Sequence, residues 1–542
     1  MSPQLQESNV RATLSMQGED VEHTKTKDDS QGTEDSTTSI SQYQQRRYPS
    51  FFVVKVTIIA SLGGILFGYD LGVISGALPQ LQRTFDLDDR EQELCVSILY
   101  LGGGIGAAVG GSLCDAFGRR RTILLTDAIF AVGALILLYA ANFQSVVVGR
   151  IIVGFALALS GIADVTYLNE IAPVHLRGAI VSVNEACISL GFLLAFGVGT
   201  LLSHSTDGWR VMFGLSGVVA VVQFLGMLGL PESPKWLKQY GRSEECEAAY
   251  RMINGDNNTS GSSAAVEETF PGSPFGEKVS SSPSAQASTL LAPTKRTQTR
   301  SHACCAQFRR MYDDYRSFVI SLFRDFRRQS IIALFLAVTQ QACGQANVLS
   351  YAPSIFGFFG DNSEWSTLSI GIVKFIVTVI VIWKIDSLGR RLLLLSGVGI
   401  LALGLLFLTI AFLSHNGERT TAEILAVPGV LLIVCGYSMS FGPLTWLLTS
   451  ELFPTEIRGR ALGISTIITY LCAWIVTNTF LTAQALFGSS VVYSVYFLLT
   501  CLGLLFAWSA VPDTGGKTTD EIDMDIQHMP WWLERQRDTS WN

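Results

Sequence analysis

Asp70, Asp127, Arg150, Asp164, Glu185 and Lys374 stand inside long apolar runs of this 542-residue chain. A charge buried in hydrocarbon costs roughly 2.5 to 3.5 kcal/mol on insertion scales, so each needs a partner, a wet cavity or a proton to carry. Asp70 lies nineteen residues past Phe51, where its run begins, and Arg150 lies a few residues into a run that starts near 145. At about 1.5 Å of helix rise per residue the two fall at one depth, which predicts an Asp70–Arg150 pair. Protonation of Asp70 would loosen that pair and give a route to proton coupling. The same residues also fit a static ion pair, or a cap on a break in a glycine-rich helix. Glu185 and Lys374 each lie some eight residues into their runs, about 12 Å deep, in the middle third of a bilayer. Asp127 and Asp164 receive no role.

At the ends of the runs, acids and arginines recur in pairs. Asp115-Ala-Phe-Gly118-Arg119-Arg120 returns as Asp386-Ser-Leu-Gly389-Arg390-Arg391, an offset of 271. Glu170-Ile-Ala-Pro173-Val-His-Leu-Arg177-Gly178 returns as Glu451-Leu-Phe-Pro454-Thr-Glu-Ile-Arg458-Gly459, offset 281. Pro231-Glu232-Ser233 has its counterpart in Pro512-Asp513-Thr514, again offset 281. Opposite charges at helix ends can form a charge-assisted network that fastens neighbouring helices in one state and frees them in another. The duplication itself predicts two parallel six-helix repeats.

Runs of about 20 apolar residues, the length that spans a bilayer core of roughly 30 Å, supply the elements that hold these groups. The first six lie near 51–81, 93–114, 121–141, 145–167, 179–203 and 210–230. The second six lie near 330–358, 366–385, 392–413, 426–449, 462–481 and 490–511. The expected fold is an all-α membrane protein with twelve transmembrane helices. Its parts are an N-terminal tail 1–50, a bundle 51–230, a linker 231–329 with short helices and a disordered centre, a bundle 330–511 and a tail 512–542. Hydrophobic residues make up 49% and charged ones 15%, with 50 glycines, which fits a lipid environment. Arg119 to Arg121, Arg177, the linker, Arg390, Arg391, Arg458 and Arg460 fall on one alternating side, so both termini are expected in the cytosol. The polar start carries no short apolar segment of the signal-peptide kind.

Several functions are excluded at this stage. Most charges sit in tails and linker, so no nucleic-acid partner is implied. No His, Cys and carboxylate cluster has metal-ligand spacing, so neither metal nor cofactor is expected. Cys114, Cys187, Cys343, Cys435, Cys472 and Cys501 lie in or at the ends of apolar runs, and Cys246, Cys304 and Cys305 in the linker, against a disulfide scaffold. No nucleophile and base converge, so an enzyme is not expected.

The full motif set resembles the sugar porter family of the major facilitator superfamily. It comprises Gly68-Tyr69-Asp70, Asp115 to Arg120, Gly149-Arg150, Glu170 to Gly178, Pro231 to Pro234, Gln340-Gln341, Asp386 to Arg391, Gly442 to Trp446, Glu451 to Gly459 and Pro512 to Thr514. The match spans about 50 to 517 in the family's order. It implies the major facilitator fold and alternating access around a central hexose site. Gln340, Gln341 and Asn347 can both donate to and accept from hydroxyls. Trp446 offers an aromatic face to the C–H side of a pyranose. Glutamine and asparagine also serve as glue between membrane helices, and adjacent glutamines point different ways. The family fold sets Glu185 and Lys374 across the cavity from one another, which predicts a bridge between them.

Within the family, three features resemble the class III facilitative glucose transporters, the branch of types ten and twelve. The asparagine after Gln340-Gln341 is displaced by one, Lys374 stands where better-known members have asparagine, and Glu185 where they have glutamine. Proton-linked members carry aspartate at the place of Asp70. Ser438, Thr469, Tyr470 and Ala473 replace more polar or larger groups of familiar hexose carriers. The loop 414–425 is short and holds no glycosylation acceptor, and the acceptors at Asn257 and Asn258 fall in the linker. The expected ligand is a hexose or related polyol, with protons as a second partner, in the plasma membrane or an endomembrane. Inositol, dehydroascorbate and a non-transporting sugar sensor are the alternatives.

Overall fold

The computed structural model describes residues 51–173, 176–254, 318, 320, 322–359, 364–414, 419–515, 517 and 519–527. They belong to one compact unit. The N-terminal tail, the linker centre with Asn257, Asn258, Cys304 and Cys305, the chain beyond 527 and the side chains of Arg177 and Asp386 lie outside the described residues.

Twelve helices are long and apolar enough to cross a membrane. They are α1 Phe51–Phe85, α2 Asp89–Phe117, α3 Arg119–Leu138, α4 Phe143–Ile171, α5 Gly178–Leu201, α6 Gly208–Leu228, α7 Arg327–Ser350, α8 Trp365–Ile385, α9 Arg390–Ser414, α10 Ile424–Leu452, α11 Ile457–Asn478 and α12 Ser489–Ala510. Local chemistry sets their ends. Asp88 and Glu91 form a reciprocal capping box at the start of α2. Asn142 caps α4 by accepting from the Ser145 amide at 2.9 Å. Gly118 and Gly389, at equivalent places in the two halves, turn the chain with φ of +93° and +82°.

Within the first half α1 packs on α5, α2 on α4, and α3 on α4 and α6; in the second, α7 packs on α11 and α9 on α10 and α12. The halves meet where α2 lies on α11 and α5 on α8. Small residues permit the closest approach. A Cβ added at Gly102 or Gly106 of α2 would stand 2.3 or 2.4 Å from main-chain oxygens of α4, and one at Gly154 of α4 would stand 2.0 Å from Leu99 O. Large apolar side chains on the outer surface, such as Leu225, Trp383, Leu502 and Trp508, remain exposed, as lipid-facing residues must.

The seventh apolar run reads in the sequence as one span, but the structure breaks it. Arg327–Ala342 ends at Gly344, whose φ of +72° admits the turn, and the chain resumes as Gln345–Ser350 and Ala352–Phe358. A Cβ at Gly344 would stand 2.3 Å from the Tyr496 ring, so glycine is required there for space as well as conformation. A similar break at Ser440 divides α10 into Arg419–Met439 and Phe441–Leu452. Short helices Pro234–Gln239, Ser243–Asn254 and Thr519–Gln527 lie on the face that carries Arg119 and Arg390, called the basic face below.

Candidate functional site

The duplicated motifs fold into two copies of one arrangement on the basic face. In the first half Arg119 reaches Asp115 at 3.2 Å and Glu170, at the end of α4, at 3.0 Å. Ser233 donates its hydroxyl to the same Glu170. In the second half Arg390 reaches Glu451 at 3.0 Å, and Thr514 donates to Glu451 at 2.5 Å. Arg120 donates to the carbonyls of Met227 and Leu228, and Arg391 to the carbonyl of Trp508. Arg458 donates to the Phe453 carbonyl at 3.4 Å. Trp236 and Tyr240 stack at 4.6 Å, and both donate to the Asp115 carbonyl at 2.8 Å, which binds the first linker helix to α2. All of these contacts join residues of one half.

Asp70 and Arg150 are neighbours, as their depths require, and both are fully buried. The predicted ion pair is nevertheless absent. Arg150 donates to the main-chain carbonyls of Cys95 at 3.3 Å and Asp70 at 3.4 Å, and lies 5.6 Å from the Phe213 ring centre. Both carboxylate oxygens of Asp70 are buried with no hydrogen-bond partner. The reason is the tilt of side chains toward the N-terminus of their own helix. α1 and α4 run in opposite directions, so the Asp70 carboxylate leans toward the basic face while the Arg150 side chain leans away from it, meeting the carbonyl instead.

The same geometry corrects the expected Glu185–Lys374 bridge. No contact within 4.0 Å joins them, although the two charges lie near enough to act on one another. α5 and α8 are antiparallel, and Lys374 leans away from Glu185 toward Phe192, two turns further along α5. Its ammonium stands 4.7 Å from the Phe192 ring centre and 5.6 Å from that of Tyr437. A buried ammonium over two ring faces is held by cation–π attraction.

Tyr437 joins this cation to the amide side chains. Gln340 donates to the Tyr437 hydroxyl and to the Phe441 carbonyl, both at 3.1 Å, while its own Oε1 is buried without a donor. Gln340 thus ties α7 to α10. Gln341 and Trp446 are half-buried. Asn347 stands apart from that group: its amide donates to Val476 O at 3.1 Å and to the Tyr496 hydroxyl at 2.9 Å, and its Oδ1 is buried without a donor.

Hydrogen bonds also cross between the halves, toward the face opposite the basic one. Ser97 of α2 donates to Asn478 of α11 at 2.8 Å. Glu93, buried at the start of α2, accepts from both the amide and the hydroxyl of Thr482 at 2.7 Å each, at the first turn of helix Phe480–Phe487. Deeper in, Ser189 of α5 donates to Thr378 of α8 at 2.9 Å. Tyr470 of α11 packs over Gly103 of α2, where a Cβ would stand 2.5 Å from its ring.

This architecture has known counterparts. A family model described as sugar (and other) transporter matches residues 56–526. The chain belongs to the sugar transporter family. A D-xylose-proton symporter-like protein of Arabidopsis thaliana is 31% identical over 482 residues, covering 86% of this chain and 89% of that one. The facilitated glucose transporter member 10 of Danio rerio is 29% identical over 524 residues, covering 88% and 93%. The solved inward-open structure of the xylose transporter XylE from E. coli aligns with a TM-score of 0.68 at 28% identity, covering 87% of this chain and 99% of that one. Another solved XylE structure, a major facilitator superfamily protein bound to 6-bromo-6-deoxy-D-glucose, aligns with a TM-score of 0.66.

As a sugar transporter family member the chain is a multi-pass membrane protein with the major facilitator fold. Several residues of its core escaped the sequence reading. Glu93 opens an apolar run and could have been counted among the charges needing partners. Tyr437, Phe192 and Tyr496 are ordinary aromatics in apolar helices, and nothing in their spacing marks them.

Proposed function

We propose that this sugar transporter carries a hexose or related polyol by alternating access, with the ligand between Glu185 of α5 and the Lys374, Gln340, Gln341 and Trp446 set of the second half. Asn347 closes the site beside α11 and α12. The observation that carries this reading is the Lys374–Tyr437–Gln340 cluster facing α5 from the second half, with buried acceptors free to take hydroxyl protons. The hydrogen bonds that Glu93 accepts from Thr482 and Ser97 donates to Asn478 support a conformation closed on the face opposite the basic one. The basic face is taken as cytosolic, with both termini on that side, in the plasma membrane or an endomembrane. The residues 51–230 and 330–511 act as the two moving bundles, joined by the linker 231–329.

Asp70 is read as the proton carrier, with Arg150 fixing its backbone. A buried carboxylate without a donor fits a carrier that holds its proton in this state and gives it up in another. The networks of Asp115, Arg119, Arg120, Glu170, Arg177 and of Asp386, Arg390, Arg391, Glu451, Arg458 stiffen the basic ends of the bundles.

Uptake of a radiolabelled panel of hexoses, pentoses and polyols into liposomes, with and without an inward proton gradient, tests both parts. Saturable uptake should be enhanced by the gradient, and Asp70→Asn should keep downhill exchange while losing accumulation. Gln341→Ala and Trp446→Ala should raise the transport constant at unchanged membrane abundance. Absence of uptake for the whole panel refutes the transport reading, and unchanged affinity in both variants refutes the site.

A further inference from the structure

Asp127 and Asp164 take no part in the pathway above. Asp127 is eight residues past Arg119 on α3 and Asp164 seven before Ile171 on α4, so both lie about 10 to 12 Å from the basic face at 1.5 Å of rise per residue. Each is 1% exposed. The Ser160 hydroxyl donates to Asp164, and Gln223 of α6 donates its amide to Asp164 at 3.2 Å. Gln223 is itself 0% exposed. Its Oε1 and both Asp127 oxygens are buried without a hydrogen-bond partner. Asp127 and Asp164 are close enough for their charges to act on one another. α1 seals the site, since a Cβ at Gly63 would stand 1.8 Å from Asp164 Oδ2 and 2.9 Å from Ser160 Oγ.

Among the described side chains the surroundings offer no free base. The Arg119 guanidinium is taken by Asp115 and Glu170, and Lys55 near the start of α1 is exposed. Cys114 of α2 senses Asp164, as it does Arg119 and Asp115. The Tyr167 hydroxyl of α4 is spent on the Pro231 carbonyl, and α5 brings only another acid, Glu185, among its described side chains. Two carboxylates and an amide oxygen therefore collect three acceptor atoms with no donor. In a low-dielectric interior two such negative charges repel strongly, and an unpaired one is expensive to keep. A single proton removes one charge and supplies one donor.

We propose that Asp127, Asp164 and Gln223 form a second proton-binding site inside the first bundle, apart from Asp70 and from the sugar. One proton from solvent is shared by the two carboxyls, with Gln223 Oε1 as an acceptor. Gly63 and Asp70 are seven residues apart, two turns along one face of α1, so occupancy of this site bears on the helix that also carries Asp70.

The test uses the full chain in lipid nanodiscs, in parent form and as Asp127→Asn, Asp164→Asn and Asp70→Asn. Asp70→Asn, which removes the contribution of the Asp70 carboxyl, should retain an infrared carbonyl band of a protonated carboxyl, and Asp127→Asn and Asp164→Asn should lose or shift that component while keeping the one from Asp70. The folded state keeps a proton that the unfolded chain, whose aspartates titrate at about 4, has already released at neutral pH, so the parent's melting temperature should fall as pH rises above about 4. Asp127→Asn, fixed in the neutral form, should flatten that fall without changing downhill sugar exchange. If both asparagine variants keep the parent's band and pH slope, the proposal is overturned. Sodium raising the parent's melting temperature at fixed pH through Asp127, with no carboxyl band in Asp70→Asn, would also overturn it by making the site one for a metal cation.

Discussion

Glu93→Gln isolates the bond that fastens the two halves at the face opposite the basic one. The carboxylate accepts two hydrogen bonds from Thr482, each 2.7 Å, and the residue is 3% exposed. A hydrogen bond to a charged group contributes about 1.5 to 3 kcal/mol. Glutamine keeps the shape, accepts from the Thr482 amide and can donate its NH2 to the Thr482 hydroxyl, so both bonds survive but each falls to the neutral range of about 0.5 to 1.5 kcal/mol. At about 1.4 kcal/mol per factor of ten, the closed arrangement should lose roughly ten- to a hundredfold in population relative to the open one. Hydrogen exchange of the peptide spanning Phe480–Phe487 reads that opening, because the Thr482 amide is one of the donors. Exchange there should accelerate by the same factor, with peptides of the basic face unchanged. Thr482→Val should accelerate it too, and the double variant should add little. Unaltered exchange in Glu93→Gln would refute the view that this carboxylate holds the halves together.

Other perturbations follow from the same geometry. Gly344→Ala forces a left-handed φ, at about 1 to 2 kcal/mol, and drives a methyl into the Tyr496 ring, so its yield of folded protein on size exclusion should drop well below that of Gly111→Ala, where the added Cβ meets nothing. Arg119→Gln removes the cation paired with Glu170, whose side chain is 13% exposed, and Arg390→Gln the cation paired with Glu451 at 22%. Breaking a fully buried pair costs about 3 kcal/mol; these side chains are partly exposed, so the loss is smaller, and both variants should melt lower than the parent, Arg119→Gln by more. Tyr437→Phe removes the hydroxyl that accepts from Gln340 but keeps the ring beneath Lys374. It should weaken sugar affinity while leaving the melting temperature within about 1 kcal/mol of the parent's stability; equal affinity in the two proteins would detach Gln340 from the site.

The sequence made the helices legible because apolar length is a property of residues taken one after another. The networks around Arg119 and Arg390 were legible because they were written twice, at offsets near 271 and 281, so one copy vouched for the other. Depth along a helix was also recoverable, and it brought Asp70 to Arg150 correctly. Direction was harder. Counting residues locates a Cα, but the lean of each side chain sent the Asp70 carboxylate and the Lys374 ammonium away from their expected partners. The break at Gly344 was hidden for a related reason, since its cause is the Tyr496 ring, more than a hundred residues away in the chain. Glu93 and Thr482 meet across the two halves, and no local pattern relates them.

The contacts that each basic-face network makes within its own half have a mechanical consequence for the proposed alternating access. A staple that joins α2, α3, α4 and the chain after α6 cannot resist the separation of one bundle from the other. It makes each bundle a stiff lever. Rocking then concentrates its work at the surfaces where levers touch, chiefly α2 against α11 and α5 against α8. A soft lever would dissipate a push from the sugar within itself before the far face moved, so on the proposed reading stiffness contributed by the arginines preserves the length of the stroke.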